Sequence, residues 1–230
     1  MKIGDYSIST VDFPGTPSLV IFLAGCPFRC PYCHNPELIN GGKNTPLNNI
    51  YKKILQSKDL VDAIVISGGE PLLQIDETEK ILEFAKSQNL KTKLDTNGYQ
   101  PKHINRIKKL VDYVALDVKV PFEKYERIFG FDGSRVRETM NILSKSKVFL
   151  ECRTTYVPGL LKPEDIISIA SQIQCDLYVI QQFRNNMVLD PKFKNVNPPS
   201  PSILKDIAKK AKKYCENVKI RTQEFGEEKI

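Results

Sequence analysis

Three cysteines, Cys26, Cys30 and Cys33, fall in the stretch Cys26-Pro27-Phe28-Arg29-Cys30-Pro31-Tyr32-Cys33, with His34-Asn35-Pro36 directly behind. Four chemistries use thiols at such spacing. Cys30-Pro31-Tyr32-Cys33 alone is the dithiol of a glutaredoxin-type exchange protein. This chain of 230 residues is far larger than such a domain, and Cys26 would have no role. Cys30 to His34 also matches the C-x-x-C-H of c-type haem attachment. That attachment follows export, and the segment ahead of Cys26, with Asp5, Asp12, Pro14 and Pro17, does not read as an export signal. Structural zinc needs a closed set of four ligands, usually two separated pairs, and a second pair is missing. An iron–sulfur cluster takes thiolates from closely spaced cysteines. Three of them on a four-iron cube would leave one iron open to a substrate. Cys152, Cys175 and Cys215 are scattered along the chain, on or beside regular elements, and read as core or half-buried thiols.

The elements that must carry this loop are legible from periodicity. Short apolar, β-branched runs occur at 19–23, 63–66, 92–94, 113–118, 148–155 and 177–181, with a seventh at 218–221. Helical spacing lies between them: Ile50, Ile54 and Leu55; Ile81, Leu82 and Ala85; Val136, Met140 and Leu143. Two more faces follow, Ile166, Ile169, Ala170 and Ile173, then Ile203, Ile207, Ala211 and Tyr214. Ser200 is placed to cap the last helix, with Pro201 in its first turn. Alternating strands and helices predict an α/β fold with a mostly parallel sheet. A complete eight-unit barrel typically needs about 250 residues, so a partial, six-unit (β/α) barrel over a single domain, 1–230, is the expectation. In such folds the carboxyl ends of all strands open on one face, where ligands bind. The polar motifs sit there: 26–35 after the first strand, 67–71 after the second, Asp95-Thr96-Asn97-Gly98 after the third, Asp117 and Lys119 after the fourth, Arg153 on the fifth. That convergence marks an enzyme.

Composition narrows the class further. Apolar residues make up 41% and charged residues 27%, which excludes disordered, collagenous and membrane chains. No run approaches the roughly 18 apolar residues of a membrane helix, so no membrane partner and a cytoplasmic location are expected. The formal charge of +7 suits an acidic partner without requiring one. Lys205, Lys209, Lys210, Lys212 and Lys213 raise a nucleic-acid-binding module as an alternative of another class. The opposite side of that helix is apolar, so a solvated face accounts for the lysines and nucleic acid is not expected.

C-x3-C-x2-C with Tyr32 inside resembles the signature of the radical S-adenosylmethionine superfamily, and Ser67-Gly68-Gly69-Glu70-Pro71 resembles its methionine-binding segment. Thr10-Val11-Asp12-Phe13-Pro14-Gly15, Cys33-His34-Asn35-Pro36, Asp95-Thr96-Asn97-Gly98 and Leu116-Asp117-Val118-Lys119 are similar to blocks of the glycyl-radical-enzyme activases. The anaerobic ribonucleotide reductase and pyruvate formate-lyase types are the nearest. The resemblance implies a [4Fe–4S] cluster on Cys26, Cys30 and Cys33, with S-adenosylmethionine on the open iron. One electron would split the sulfonium, and the deoxyadenosyl fragment would take a hydrogen from a glycine of a partner glycyl-radical enzyme under anaerobic conditions. It further implies cofactor contacts from Tyr32, His34, Ser67, Gly68, Gly69 and Glu70, and from Asp117, Lys119 and Arg153. Asp95 and Thr96 would hold a monovalent cation beside the ligand. Pyruvate formate-lyase activases carry a His after the sixth strand, where this chain has Gln182-Phe183-Arg184. The eight-cysteine insert of many relatives is absent, so the electron would come from an external flavodoxin- or ferredoxin-type donor. Within the same superfamily, 7-carboxy-7-deazaguanine synthase is the alternative.

Overall fold

The computed structural model describes residues 1–230. The chain opens with two antiparallel strands, β1 (Lys2–Ser9) and β2 (Ser18–Leu23), and a short β3 (Lys43–Asn44) beside β1. Helix–strand alternation then follows: α1 (Leu47–Ser57), β4 (Ala63–Gly68), α2 (Ile75–Ser87), β5 (Lys91–Thr96), α3 (Pro101–Ile107) and β6 (Tyr113–Asp117). Two helices, α4 (Tyr125–Phe129) and α5 (Ser134–Ser144), lead to β7 (Phe149–Tyr156). The chain ends with α6 (Pro163–Gln172), β8 (Leu177–Gln182), α7 (Pro201–Ala211), β9 (Val218–Thr222) and β10 (Gly226–Lys229).

All ten strands form one sheet in the order β10-β9-β8-β7-β6-β5-β4-β2-β1-β3. The run from β2 through β4 to β9 is parallel throughout, and its seven strands are those that the apolar runs predict. The antiparallel edges β1, β3 and β10 carry no such signal. Strand β10 reads Gly-Glu-Glu-Lys, and charged residues of this kind blunt an edge against further pairing.

Side chains alternate across the sheet with period 2. Leu19, Ile21, Ile64, Ile66, Leu94, Leu116, Leu150, Tyr178 and Ile220 face the helices in the main core. The other face carries Val20, Ala63, Val65, Tyr113 and Ala115, with Phe13 from the β1–β2 turn packed over them. Beyond that apolar floor the same face turns polar, with Ser67, Asp95, Asp117, Arg153, Gln181 and Arg221. In a flat sheet, six inter-strand steps of about 4.8 Å would part β2 from β9 by roughly 29 Å. Yet Phe22 of β2 and Arg221 of β9 line one cavity. The sheet is therefore curled into an incomplete barrel of six βα units closed off by β9, with its two edges unpaired.

The helix stripes hold with three exceptions. Leu55, Ile203 and Tyr214 are exposed. On α7 the buried stripe is Leu204, Ile207, Ala208 and Ala211, spaced i, i+3, i+4 and i+7. Ile203 lies one position, about 100°, off that stripe, and Tyr214 lies past the helix end. Ser200 caps α7, accepting from the Ile203 amide, as its position predicts. His103, half-buried at the start of α3, bonds the Leu72 carbonyl through Nδ1 at 2.8 Å.

Candidate active site

A cavity of about 460 Å³ lies at the carboxyl ends of the strands. Cys26, Cys30, Cys33, Tyr32, His34, Ser67, Gly68, Gly69, Asp95, Thr96, Asp117, Lys119 and Arg153 all line it. Thus every site residue expected from the sequence lines one cavity except Glu70.

The cysteine loop has no regular structure of its own and is held from outside. Gly25, at φ 99°, turns the chain out of β2, and its amide bonds the Leu38 carbonyl at 2.7 Å. Phe28 is buried and stacks on Phe131 and Phe129 at centroid distances of 4.6 and 5.7 Å. Arg29 Nη1 donates to the Cys26 carbonyl at 2.7 Å. On the far side, the Asp190 amide bonds Pro31 and His34 Nε2 pairs with the Arg184 carbonyl at 3.2 Å, tying the loop to the segment after β8. Burial raises all three thiols, and takes Cys30 to about 12; Lys119 opposes that rise at each of them. Loading a metal centre must then expel their protons. No three His, Cys, Asp or Glu side chains are gathered as ligands of a single ion. A cube spreads its three thiolates over three different irons, so a cluster does not require them to converge on one ion.

Parallel pairing of β2 with β4 sets Leu23 opposite Gly68, which places the glycine loop against the root of the cysteine loop. The contact leaves no room for side chains. Gly68 sits at φ 108°, and a Cβ there would lie 2.3 Å from the Leu23 carbonyl oxygen. A Cβ on Gly69 would lie 2.2 Å from the Gly25 oxygen. Only glycine permits this approach. Glu70, expected to lend charge to the ligand, faces away from the cavity. It is fully buried, accepting from the Leu72 amide at 3.0 Å, the Asn97 amide at 2.7 Å and Thr96 Oγ1 at 2.8 Å. Burial pushes it up to about 7 against those three bonds. Its work is to clasp the β5 loop to the β4 loop.

The opposite wall is an ion-pair ladder. Arg153 Nε reaches Asp117 Oδ1 at 2.9 Å and its Nη1 reaches Asp95 Oδ2 at 3.3 Å. Lys119 Nζ meets Asp117 Oδ2 at 3.1 Å. Burial would raise both carboxyls, but Arg153 and the neighbouring lysines outweigh it, so Asp95 is lowered and Asp117 falls to about 2. Thr96 follows Asp95 on the strand and so points to the opposite side, where its hydroxyl serves Glu70 and the Gly98 amide.

Several lining residues were given no ligand contact in the sequence reading: Asn97, Thr155 and Arg184, which fall in the motifs of the open face, and Asp12, Gln181 and Arg221. Lys93 and Glu151 stand below them on the same inner face, 2% and 1% exposed. Their signal was available. Lys93 and Asp95 flank Leu94, and Glu151 and Arg153 flank Cys152, with Thr155 two further on; charged or polar residues at alternate strand positions mark a polar barrel interior. Gln182 faces the other way and binds the Pro199 carbonyl and the Gln223 amide.

Comparison with known proteins agrees with this geometry. The Radical SAM superfamily pattern matches residues 20–173. A candidate glycyl-radical enzyme activating enzyme of Methanocaldococcus jannaschii is 42% identical over 229 residues, 95% of either chain. The pyruvate formate-lyase-activating enzyme of Clostridium pasteurianum is 35% identical over 73% of this chain and 74% of its own. Among solved structures, Streptococcus suis SuiB bound to S-adenosylmethionine superposes with TM-score 0.66 at 14% identity, over 89% of this chain and 51% of that one. TYW1 with a lysine-pyruvate adduct gives 0.65 at 16% identity, over 91% and 77%. At such identities these two speak for the fold alone. The chain belongs to the radical SAM superfamily, whose cofactors are a [4Fe–4S] cluster and S-adenosylmethionine. Within it, the chain groups with the glycyl-radical enzyme activating enzymes, an oxidoreductase-type class acting on a partner glycyl-radical enzyme. No helix is long and apolar enough to cross a membrane.

Proposed function

We propose that residues 1–230 work as one radical SAM domain in the cytoplasm, in which the cavity wall assigns each residue its task. Cys26, Cys30 and Cys33 would hold the cluster, since they are the thiols that share one loop and open on the cavity. Bound there, the two cofactors supply an electron and a hydrogen-abstracting adenosyl fragment. The chain's own residues orient and shield. Gly68 and Gly69 present backbone to the ligand's amino group, and Ser67 Oγ, bonded to Asp95 at 3.1 Å, fixes that turn. Arg153 and Lys119 would face the methionine carboxylate or the ribose hydroxyls, held in place by Asp95 and Asp117. Tyr32, wholly buried with a hydroxyl that has no partner, would close the adenine side, and His34 pins the loop.

The observation that carries the reading is the open side of the barrel. A second cavity of about 350 Å³ shares His34, Thr155, Gln181, Arg184 and Arg221 with the first and reaches the surface at Asn186 and Met187. It offers an extended polypeptide a lateral way to the ligand, which suits a glycine within a protein chain. The partner would be of the anaerobic ribonucleotide reductase or pyruvate formate-lyase type, with electrons from an external flavodoxin- or ferredoxin-type donor. The test is anaerobic reconstitution with a candidate partner deuterated at its glycine α-carbons. Deuterium is expected in 5′-deoxyadenosine, with a glycyl radical signal growing in the partner's electron paramagnetic resonance spectrum: a doublet in unlabelled partner, collapsed by the remaining α-deuteron in the labelled one. Label drawn from a purine or pterin metabolite, with the partner diamagnetic, would replace the activase reading by the deazaguanine-type alternative.

A further inference from the structure

The activase resemblance implies a monovalent metal ion on Asp95 and Thr96. The atoms it would use are taken. Thr96 Oγ1 donates to Glu70 and accepts from the Gly98 amide at 3.0 Å. Each oxygen of the two cavity carboxylates has a cationic nitrogen of its own. Asp95 Oδ1 has Lys93 Nζ at 3.2 Å and Asp95 Oδ2 has Arg153 Nη1 at 3.3 Å. Asp117 Oδ1 has Arg153 Nε at 2.9 Å and Asp117 Oδ2 has Lys119 Nζ at 3.1 Å. Asp95 Oδ1 makes no aligned hydrogen bond, so its contact with Lys93 is one of charge.

Lys93 is the decisive member. Its ammonium is 2% exposed, donates to the Asp12 carbonyl, pairs with Asp95 and lies 5.1 Å from the Tyr113 ring centroid. A carbonyl oxygen, a carboxylate oxygen and an aromatic face are the surroundings a monovalent cation seeks. Here an ammonium fills them. A metal ion on Asp95 Oδ1 would have to approach within contact distance of that ammonium, in a buried setting where like charges repel far more than in water. The inner wall also has cations enough without it: Lys93, Lys119, Arg153 and Arg221 face Asp95, Asp117 and Glu151.

We infer that Lys93 is the resident cation of this site, standing in for a monovalent metal, so that S-adenosylmethionine binds here without an alkali ion. The binding half of the statement rests on the radical SAM reading; the exclusion of the ion does not. Two readouts keep them separate. Crystals of the cluster-loaded protein grown with thallium(I) acetate should show no anomalous peak at Asp95, whereas Lys93→Met crystals should show one. By anaerobic calorimetry, wild-type affinity for S-adenosylmethionine should change less than twofold between tetramethylammonium and potassium at equal ionic strength. Lys93→Met should gain at least tenfold on adding potassium, and Lys93→Arg should behave as wild type. A thallium peak at Asp95 in the wild type, or a saturable fivefold gain with potassium, would overturn the inference; so would a folded Lys93→Met variant that acquires neither. Should Lys93→Met not fold, the two wild-type measurements still decide. Absence of S-adenosylmethionine binding in every buffer would defeat the radical SAM reading, while the thallium result would still judge Lys93.

Discussion

The molecule holds two groups of three cysteines, and they differ in every respect but composition. Cys26, Cys30 and Cys33 are neighbours in sequence, on an irregular loop that lines the cavity. Cys152, Cys175 and Cys215 come from β7, from the turn after α6 and from the turn after α7, and meet only because those elements pack. The Cys175 thiol interacts with both of the others, and Cys215 Sγ donates to the Ala170 carbonyl at 3.5 Å. The three cavity thiols and, in the second set, Cys175 and Cys215 are raised by their surroundings. In the cavity burial is opposed by the Lys119 charge at all three sulfurs. In the second set the Cys175–Cys215 thiol contact and burial raise Cys215, with no cation to oppose them. A thiol becomes a ligand or a nucleophile where the thiolate is supported and reachable. Proximity of cysteines is therefore not the criterion; what stands opposite them is.

The sharpest way to break this contrast is the triple replacement Cys26→Ala/Cys30→Ala/Cys33→Ala. Anaerobically reconstituted protein should lose iron and sulfide to background, and 5′-deoxyadenosine formation after dithionite reduction should become undetectable. A full cluster retained by that variant would erase the distinction between the two sets.

A smaller effect is expected behind the cavity, at Glu70. Its folded pKa of about 7 lies above the ordinary 4.5. A raised acid stabilises the fold fully below the lower value and loses that contribution as pH rises through the higher one. The stability of the wild type relative to Glu70→Gln should thus decline from pH 4.5 to 8, by up to about 3 kcal/mol, read from urea unfolding of the apo protein. A pH-independent difference would show that the three donors, and not burial, govern this carboxyl.

The smallest effects belong to the second set. Cys152→Ala, Cys175→Ala and Cys215→Ala should each keep a full complement of iron and sulfide and cost about 1–2 kcal/mol in unfolding free energy, as modest losses of core packing do. Loss of iron from any of the three would show that the packed thiols feed the cavity after all.

Much of this protein was legible without coordinates. The seven parallel strands stood out because buried strands are apolar runs, and the cluster loop because its ligands are local in sequence. Edge strands β1, β3 and β10 left no trace, since a half-exposed edge needs no apolar run. Glu70 was read as a charge near the ligand because its neighbours Gly68 and Gly69 line the cavity. One residue further along, its side chain turns to the opposite side and becomes a clasp. Thr96 turned away from Asp95 for the same reason.

What the sequence determined by itself was therefore whatever is written within a few residues: strand and helix periods, the cysteine spacing, the glycines that only a close backbone approach requires. What tertiary structure decided was charge pairing. Lys93, Asp95, Asp117, Arg153 and Glu151 come from three strands, and only the side-by-side pairing of β5, β6 and β7 lets Arg153 bridge Asp95 and Asp117. Coulombic interaction depends on distance in space and on burial, neither of which sequence separation encodes. Hence the candidate cluster cysteines could be picked out directly, while the proposal that Lys93 is the cation beside them needed the folded barrel.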